Sequence, residues 1–73
     1  MWIRSKNKQV LTNCTSLHEK RTRNDGTDYL IIDNTTDYIL GAYETGERAL
    51  EVLDEIEHLL CTGFNSVYDM PEV

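Results

Sequence analysis

The chain has 73 residues and a formal net charge of −6; 40% of its residues are hydrophobic and 27% are charged. This length supports one small hydrophobic core, and the composition is typical of a folded rather than a disordered chain. A second domain or a deep catalytic pocket is therefore not expected.

Charge is divided unevenly along the chain. Residues 1–23 contain six basic residues and one acidic residue, a net charge of +5, whereas residues 24–73 contain one basic and twelve acidic residues, a net charge of −11. Such asymmetry predicts one surface that attracts anions and another that is strongly acidic. The overall acidity argues against binding to duplex nucleic acid, because phosphate neutralisation dominates that kind of binding.

Residues 1–44 alternate between short apolar segments and turn signals, which predicts an antiparallel β-meander of three to four strands. Asp25-Gly26 favours a tight hairpin turn, because this pair tolerates positive φ. The predicted strands are a first hairpin of Trp2–Ser5 and Gln9–Cys14, then Tyr29–Ile32 and Asp37–Tyr43, with a less regular, exposed edge strand within Thr15–Arg23.

From Thr45 onward apolar residues recur every three or four positions, which predicts an amphipathic helix over residues 45–62. Thr45 is suited to cap the first amides, and Gly63 is suited to a left-handed helix end with Phe64 packed back on the last turn. The tail, residues 63–73, should be extended because the residue before Pro71 disfavours helix. The predicted apolar face holds Ala49, Leu50, Leu53, Ile56 and Leu60, flanked by Val52 and Leu59.

The predicted fold class is therefore α+β: an antiparallel β-meander followed by one amphipathic C-terminal helix and an extended tail, in a single domain over residues 1–73. In the strand Tyr29–Ile32, alternation places apolar side chains on both faces. One helix covers one face, and leaving the other in water would cost several kcal/mol, comparable with the whole stability of a small domain. We therefore predict a homo-oligomer, with packing of the tail on that face as the alternative.

Cys14, His18, His58 and Cys61 provide the residue types of a zinc site, but their spacing argues against one. Cys14 and His18 would lie about 13 Å apart on an extended strand at about 3.3 Å per residue, too far for one ion. No metal site and no cofactor are predicted. The simpler interpretation is two free, partly buried thiols and two surface imidazoles, because a cytosolic chain keeps its cysteines reduced.

Two surfaces are candidates for binding. The first combines cations that can hold phosphates with aromatic rings that can stack on a base; its predicted ligand-binding residues are Trp2, Arg4, Lys6, Lys8, Arg21, Arg23, Tyr38 and Tyr43. The alternative interpretation of its cations is a solvated edge that resists aggregation. The second is the acidic helix face, with predicted protein-interaction residues Glu47, Glu51, Asp54 and Glu55. Its carboxylates can imitate phosphates, although such a face is also typical of a solvated helix.

Three segments resemble a group of small uncharacterised proteins of phages and mobile elements of Gram-positive bacteria. They are Met1-Trp2-Ile3-Arg4-Ser5-Lys6-Asn7-Lys8, the segment from Leu40-Gly41-Ala42-Tyr43 through Glu47-Arg48-Ala49-Leu50-Glu51-Val52-Leu53-Asp54-Glu55-Ile56, and Val67-Tyr68-Asp69-Met70-Pro71-Glu72. The resemblance covers about half of the chain and implies a mobile-element origin and a fold of β-sheet plus helix. It implies no catalytic or binding residue.

By analogy with small phage proteins, the expected function is non-catalytic counter-defence: capture of a small anionic nucleotide signal such as a cyclic nucleotide or an ADP-ribose derivative. The alternatives are an inhibitor resembling anti-CRISPR proteins, whose acidic helix blocks a nucleic-acid-binding host defence protein, and an accessory protein of a mobile element. No apolar run approaches a membrane span and the start lacks a signal-peptide pattern, so a cytoplasmic location, in the host cell, is expected.

Overall fold

A computed structural model describes residues 1–14 and 20–73. The described part is an α+β fold with one helix and two sheets. In chain order its elements are β1 (Trp2–Arg4), β2 (Leu11–Asn13), β3 (Lys20–Asn24), β4 (Tyr29–Asp33), β5 (Ile39–Tyr43), α1 (Gly46–Cys61) and β6 (Val67–Asp69).

The strands form two three-stranded sheets, so the prediction of one continuous β-meander is wrong. Sheet 1 has the order β2-β1-β6, and sheet 2 has the order β3-β4-β5. The predicted antiparallel hairpin of β1 and β2 is present, and β3 to β5 form a smaller antiparallel meander. The two sheets meet after β1, where the Lys6 amide donates to the Leu40 carbonyl at 2.7 Å.

The tail does not stay a simple extension after the helix. Residues Val67–Asp69 form β6, which pairs in parallel with β1, and the Met70 amide donates to the Arg4 carbonyl at 3.0 Å. The helix is therefore followed by another strand and is not the last element of the fold. A parallel neighbour needs a long crossover, and here residues 5 to 66 connect β1 to β6.

Sheet 2 presents apolar residues on both faces, as predicted. Ile31 belongs to the main core, whereas Leu30 and Ile32 point to the other side and are 5% and 2% exposed. This second face is thus already shielded within one chain, so it does not by itself require a partner copy. The predicted edge strand is present as β3, while residues 15–19, including Leu17, lie outside the described residues.

The helix has the predicted termini but a rotated apolar face. The Thr45 hydroxyl accepts a hydrogen bond from the Arg48 amide at 3.1 Å, and Gly63 follows the helix with φ of 75°. The buried residues of the helix are Ala49, Val52 and Ile56. Leu50, predicted on the buried face, is 56% exposed, because at about 100° per residue it points away from the stripe centred on Ile56.

The core lies between the helix, sheet 2 and the inner face of sheet 1. It is formed by Ile3, Cys14, Ile31, Leu40, Tyr43, Ala49, Val52, Ile56, Tyr68 and Met70. Leu40 reaches it as the extra residue of a β-bulge, since Ile31 pairs with Gly41 and Ile32 pairs with Ile39. Gly41 leaves room for the Tyr43 ring, because a Cβ atom on Gly41 would lie 3.0 Å from the Tyr43 hydroxyl.

Candidate functional site

The outer face of sheet 1 brings together three of the predicted ligand-binding residues. In β1, Ile3 is fully buried, so Trp2 and Arg4 on either side of it point outward. Trp2 pairs with Val67, and Arg4 pairs with Leu11 and Asp69. We call this surface the open face; it consists of Trp2, Arg4, Lys8, Leu11, Asn13, Val67 and Asp69.

The apolar members of the open face are unusually exposed for their size. Trp2 and Leu11 are each 46% exposed, and Val67 is 44% exposed. Because β1 is the central strand of the sheet, Trp2 lies between neighbours on both sides. A flat aromatic ring in the centre of an uncovered sheet is the arrangement on which many proteins stack nucleobases.

Two cations border this apolar surface and share one carboxylate. Asp69 Oδ1 lies 3.9 Å from Arg4 Nε and 3.7 Å from Lys8 Nζ, and all three side chains are substantially exposed. Arg4 also donates to the Lys8 carbonyl at 3.3 Å, which holds the guanidinium near the turn between β1 and β2. Long, exposed ion pairs of this kind contribute about 0–1 kcal/mol, so an incoming anion can displace Asp69 at little cost.

Lys6 and Tyr43 are engaged inside the fold. Lys6 Nζ donates to the Ala42 carbonyl at 2.8 Å and lies 4.8 Å from the centre of the Tyr43 ring. Tyr43 is 2% exposed and its hydroxyl donates to the Pro71 carbonyl at 2.9 Å. Burial raises the pKa of Tyr43 to about 12, so the hydroxyl stays protonated as a donor. Both residues serve packing, and the buried ring is unavailable for stacking on a base.

Arg21, Arg23 and Tyr38 belong to sheet 2 and its turn. Arg21 donates to the side chain of Asn34 and lies 3.3 Å from Asp37 Oδ1. Arg23 and Tyr38 are exposed. Among the described residues, no hydrogen bond or ion pair joins this group to the open face or to Lys6 and Tyr43. The polar contacts of the eight predicted residues thus do not form one network.

A groove lies elsewhere, between the end of β5, the start of α1 and the tail. Its volume is about 590 Å³, and Lys6, Asp28, Glu44, Arg48, Glu72 and Val73 are among its lining residues. Three carboxylates outnumber two cations there, and Arg48 Nε is occupied by the Val73 carbonyl at 2.8 Å. This charge balance is unsuited to an anionic ligand.

The acidic residues of the helix form a continuous outer face, as predicted. Glu47, Glu51, Asp54 and Glu55 are all exposed, and Arg48 lies 3.5 Å from Glu51 Oε1. Leu50 lies among them, although the periodicity predicted it on the buried face. The other members of the open face, Leu11, Asn13, Val67 and Asp69, were not predicted as site residues. In Val67-Tyr68-Asp69 two apolar residues are adjacent, so no alternation in the sequence marks the outward positions.

Cys14, His58 and Cys61 are the described members of the cysteine and histidine set. Cys14 is buried, Cys61 is exposed at the end of the helix, and neither forms a disulfide. His58 is exposed on the helix, and His18 lies outside the described residues. Within residues 1–14 and 20–73 no three His, Cys, Asp or Glu side chains come together in a way that could hold a metal ion.

Comparisons of the chain with protein-family models, with curated proteins and with solved structures find no significant match. Within the described ranges, α1 is too short and too polar to cross a membrane.

Proposed function

We propose that this protein is a non-catalytic binding protein that captures a small anionic nucleotide on the open face, with Trp2 stacking on the base and Arg4 and Lys8 holding phosphate. The capture is stoichiometric and takes place in the cytoplasm, where it removes a nucleotide signal of host defence. The observation that carries the proposal is the outward projection of Trp2 and Arg4 from the central strand of an uncovered sheet.

The spacing of the two side chains suits one nucleotide. Adjacent outward residues of a strand are two positions apart, about 6.6 Å at about 3.3 Å per residue. A base stacked on Trp2 therefore extends its phosphate toward Arg4, where a guanidinium binds phosphate with two parallel hydrogen bonds. Lys8 provides a second positive charge on the same side. Asp69 is the competing anion, and its long contacts make it easy to displace.

The test uses the fluorescence of Trp2, because the chain contains one Trp. Titration with ADP-ribose and with a cyclic dinucleotide should quench this fluorescence if either base stacks on the indole. Arg4→Ala should weaken the binding by about 10- to 100-fold, since a charge-assisted hydrogen bond contributes about 1.5–3 kcal/mol. Calorimetry on both proteins gives the affinities independently of the fluorophore.

Arg23→Ala is the matched comparison, because it removes an exposed arginine from sheet 2 instead of sheet 1. A loss of affinity in Arg4→Ala but not in Arg23→Ala assigns the ligand to the open face. An equal loss in both variants would contradict that assignment and favour the wider basic surface expected from the sequence. Absence of binding with either nucleotide in calorimetry would reject these two ligand classes.

The second candidate is an inhibitor of a basic, nucleic-acid-binding host protein, docked through the acidic helix face. Leu50 favours it: a leucine that is 56% exposed among carboxylates offers an apolar anchor at the centre of a charged surface. Glu51→Lys with Asp54→Lys should then abolish inhibition of such an enzyme, while Arg4→Ala leaves the inhibition intact. The reverse pattern would favour the nucleotide proposal.

A further inference from the structure

Two surfaces of this molecule complement each other but cannot meet within one chain. The helix presents carboxylates around the exposed Leu50, and the open face presents Arg4 and Lys8 around exposed apolar side chains. On their inner sides both elements contribute to one core: Ile3 from β1, and Val52 and Ile56 from α1. Their outer sides therefore point away from each other.

From this arrangement we infer that the protein self-associates head to tail, with the acidic helix face of one copy docked on the open face of the next. Leu50 of one copy packs against Trp2 and Leu11 of its neighbour. Glu51 and Asp54 then lie near Arg4 and Lys8. The inference goes beyond the proposed function and does not depend on any ligand, but a nucleotide on Trp2 and Arg4 would compete with the neighbouring copy for the open face.

Complementarity in both charge and hydrophobicity selects a second copy as the occupant. An acidic surface with one large apolar side chain meets an apolar centre bordered by Arg4 and Lys8, against which Asp69 is the one carboxylate of the open face. Opposite charges around an apolar centre are typical of a specific interface. Two open faces placed against each other would instead bring four cations together with two Asp69 carboxylates, and two helix faces would bring carboxylates together. The head-to-tail arrangement avoids both repulsions.

The interface is expected to be weak and sensitive to salt. Sheet 1 has three strands of three residues, so the area of its open face falls below that of a standard stable interface. Exposed charges are also screened at physiological ionic strength. Because the two surfaces differ, the contact does not close as a two-fold dimer; it repeats, giving a short open chain or a ring.

Sedimentation velocity and light scattering of the wild-type chain over a wide concentration range test the inference. The average mass should rise with concentration at about 0.01 M ionic strength and fall toward the monomer at about 1 M. A helix variant with Glu51→Lys and Asp54→Lys, and a sheet variant with Arg4→Glu and Lys8→Glu, should each self-associate at least about tenfold more weakly. Leu50→Gln should have the same effect without changing charge. All these positions are exposed or half-exposed, and circular dichroism confirms that each variant is folded.

Mixing variants identifies the polarity of the contact. Leu50→Gln retains an intact open face, and Trp2→Ser retains an intact helix face. In an equimolar mixture the helix face of Trp2→Ser should dock on the open face of Leu50→Gln, which gives a one-to-one dimer and nothing larger. Glu72→Lys, a charge reversal away from both surfaces, should self-associate as the wild type does. A wild type that stays monomeric at low ionic strength overturns the inference. Self-association that survives Leu50→Gln also overturns it. So does a failure of the Leu50→Gln and Trp2→Ser mixture to form the one-to-one dimer. Mass is the readout, so such a failure would leave the nucleotide proposal standing.

Discussion

At the scale of single residues, Lys20 and Asp33 form a buried ion pair. Lys20 Nζ lies 3.7 Å from Asp33 Oδ2, with side chains 0% and 2% exposed. Asp33 also accepts hydrogen bonds from the Thr12 hydroxyl at 2.6 Å and the Thr35 amide at 2.9 Å. Since Thr12 belongs to β2 and Asp33 to β4, this carboxylate links the two sheets.

Burial on its own would raise the pKa of Asp33, but the hydrogen bonds from Thr12 and Thr35 and the charge of Lys20 outweigh it and hold the pKa below its ordinary value of 3.8. The folded pKa is thus lower than the unfolded one. The ionised carboxylate therefore stabilises the fold above the unfolded pKa, and this contribution disappears as the pH falls through the folded pKa.

Asp33→Asn should lower the free energy of unfolding at neutral pH by about 3–5 kcal/mol, because it leaves Lys20 buried without its counter-charge. It should also make the free energy of unfolding depend less steeply on pH below about pH 5, because the variant lacks this carboxylate. Chemical denaturation at several pH values measures both effects. A double variant, Lys20→Met with Asp33→Asn, removes the unpaired buried charge and keeps a side-chain oxygen as an acceptor, so it should recover much of the stability. Asp37→Asn, at an exposed carboxylate, should change little. Unaltered stability in Asp33→Asn at neutral pH would contradict the role assigned to the pair.

At the scale of elements, the helix is delimited by contacts at its own ends. After the last turn, the Phe64 amide donates to the Leu59 carbonyl at 3.0 Å and the Gly63 amide donates to the Leu60 carbonyl at 3.3 Å. This pair of bonds is a Schellman motif, which requires a left-handed residue at Gly63. It turns the chain toward β6 and so places Val67 on the open face.

Gly63→Ala should therefore destabilise the protein by about 1–2 kcal/mol, the cost of a left-handed conformation for a residue with a Cβ atom. No atom lies within 4 Å of the position that the Cβ would take, so the expected cost comes from the backbone alone. Gly63→Asn is the control and should cost less, because asparagine tolerates this conformation. Thermal unfolding followed by circular dichroism compares the two. Equal melting temperatures for the alanine variant and the wild type would show that the turn is not under this constraint.

At the scale of the whole molecule, distant parts of the chain meet at β1. This strand has β2 on one side and β6 on the other, and the tail beyond β6 returns to β5 and α1 through Tyr43 and Arg48. Residues 1–8, the segment from Leu40 to Ile56 and residues 67–72 are distant in the sequence but in contact in the fold.

Met70→Ala tests whether the tail is part of the cooperative fold. Met70 is 1% exposed in the core, and truncation of such a side chain costs about 2–5 kcal/mol. That range approaches the total stability of a small protein, so the variant should unfold as a whole at a much lower denaturant concentration. Hydrogen exchange should lose protection in β4 and β5 as well as in β6. Loss of protection in β6 alone would mean that the tail unfolds independently of the core. Val73→Ala, at an exposed position, is the control.

Local patterns in the sequence determined the helix with its cap and its end, the hairpin of β1 and β2, and the strands around residues 29–33 and 39–43. Their signals act within a few residues, so composition and spacing are sufficient. Tertiary structure alone decided that the strands divide into two sheets and that β6 pairs in parallel with β1. It also placed Lys6 and Tyr43 in contacts within the fold and left Trp2, Arg4 and Lys8 together on the open face. These outcomes depend on which distant strand supplies the hydrogen-bonding partner and in which register, and alternation along one strand carries no information about that partner.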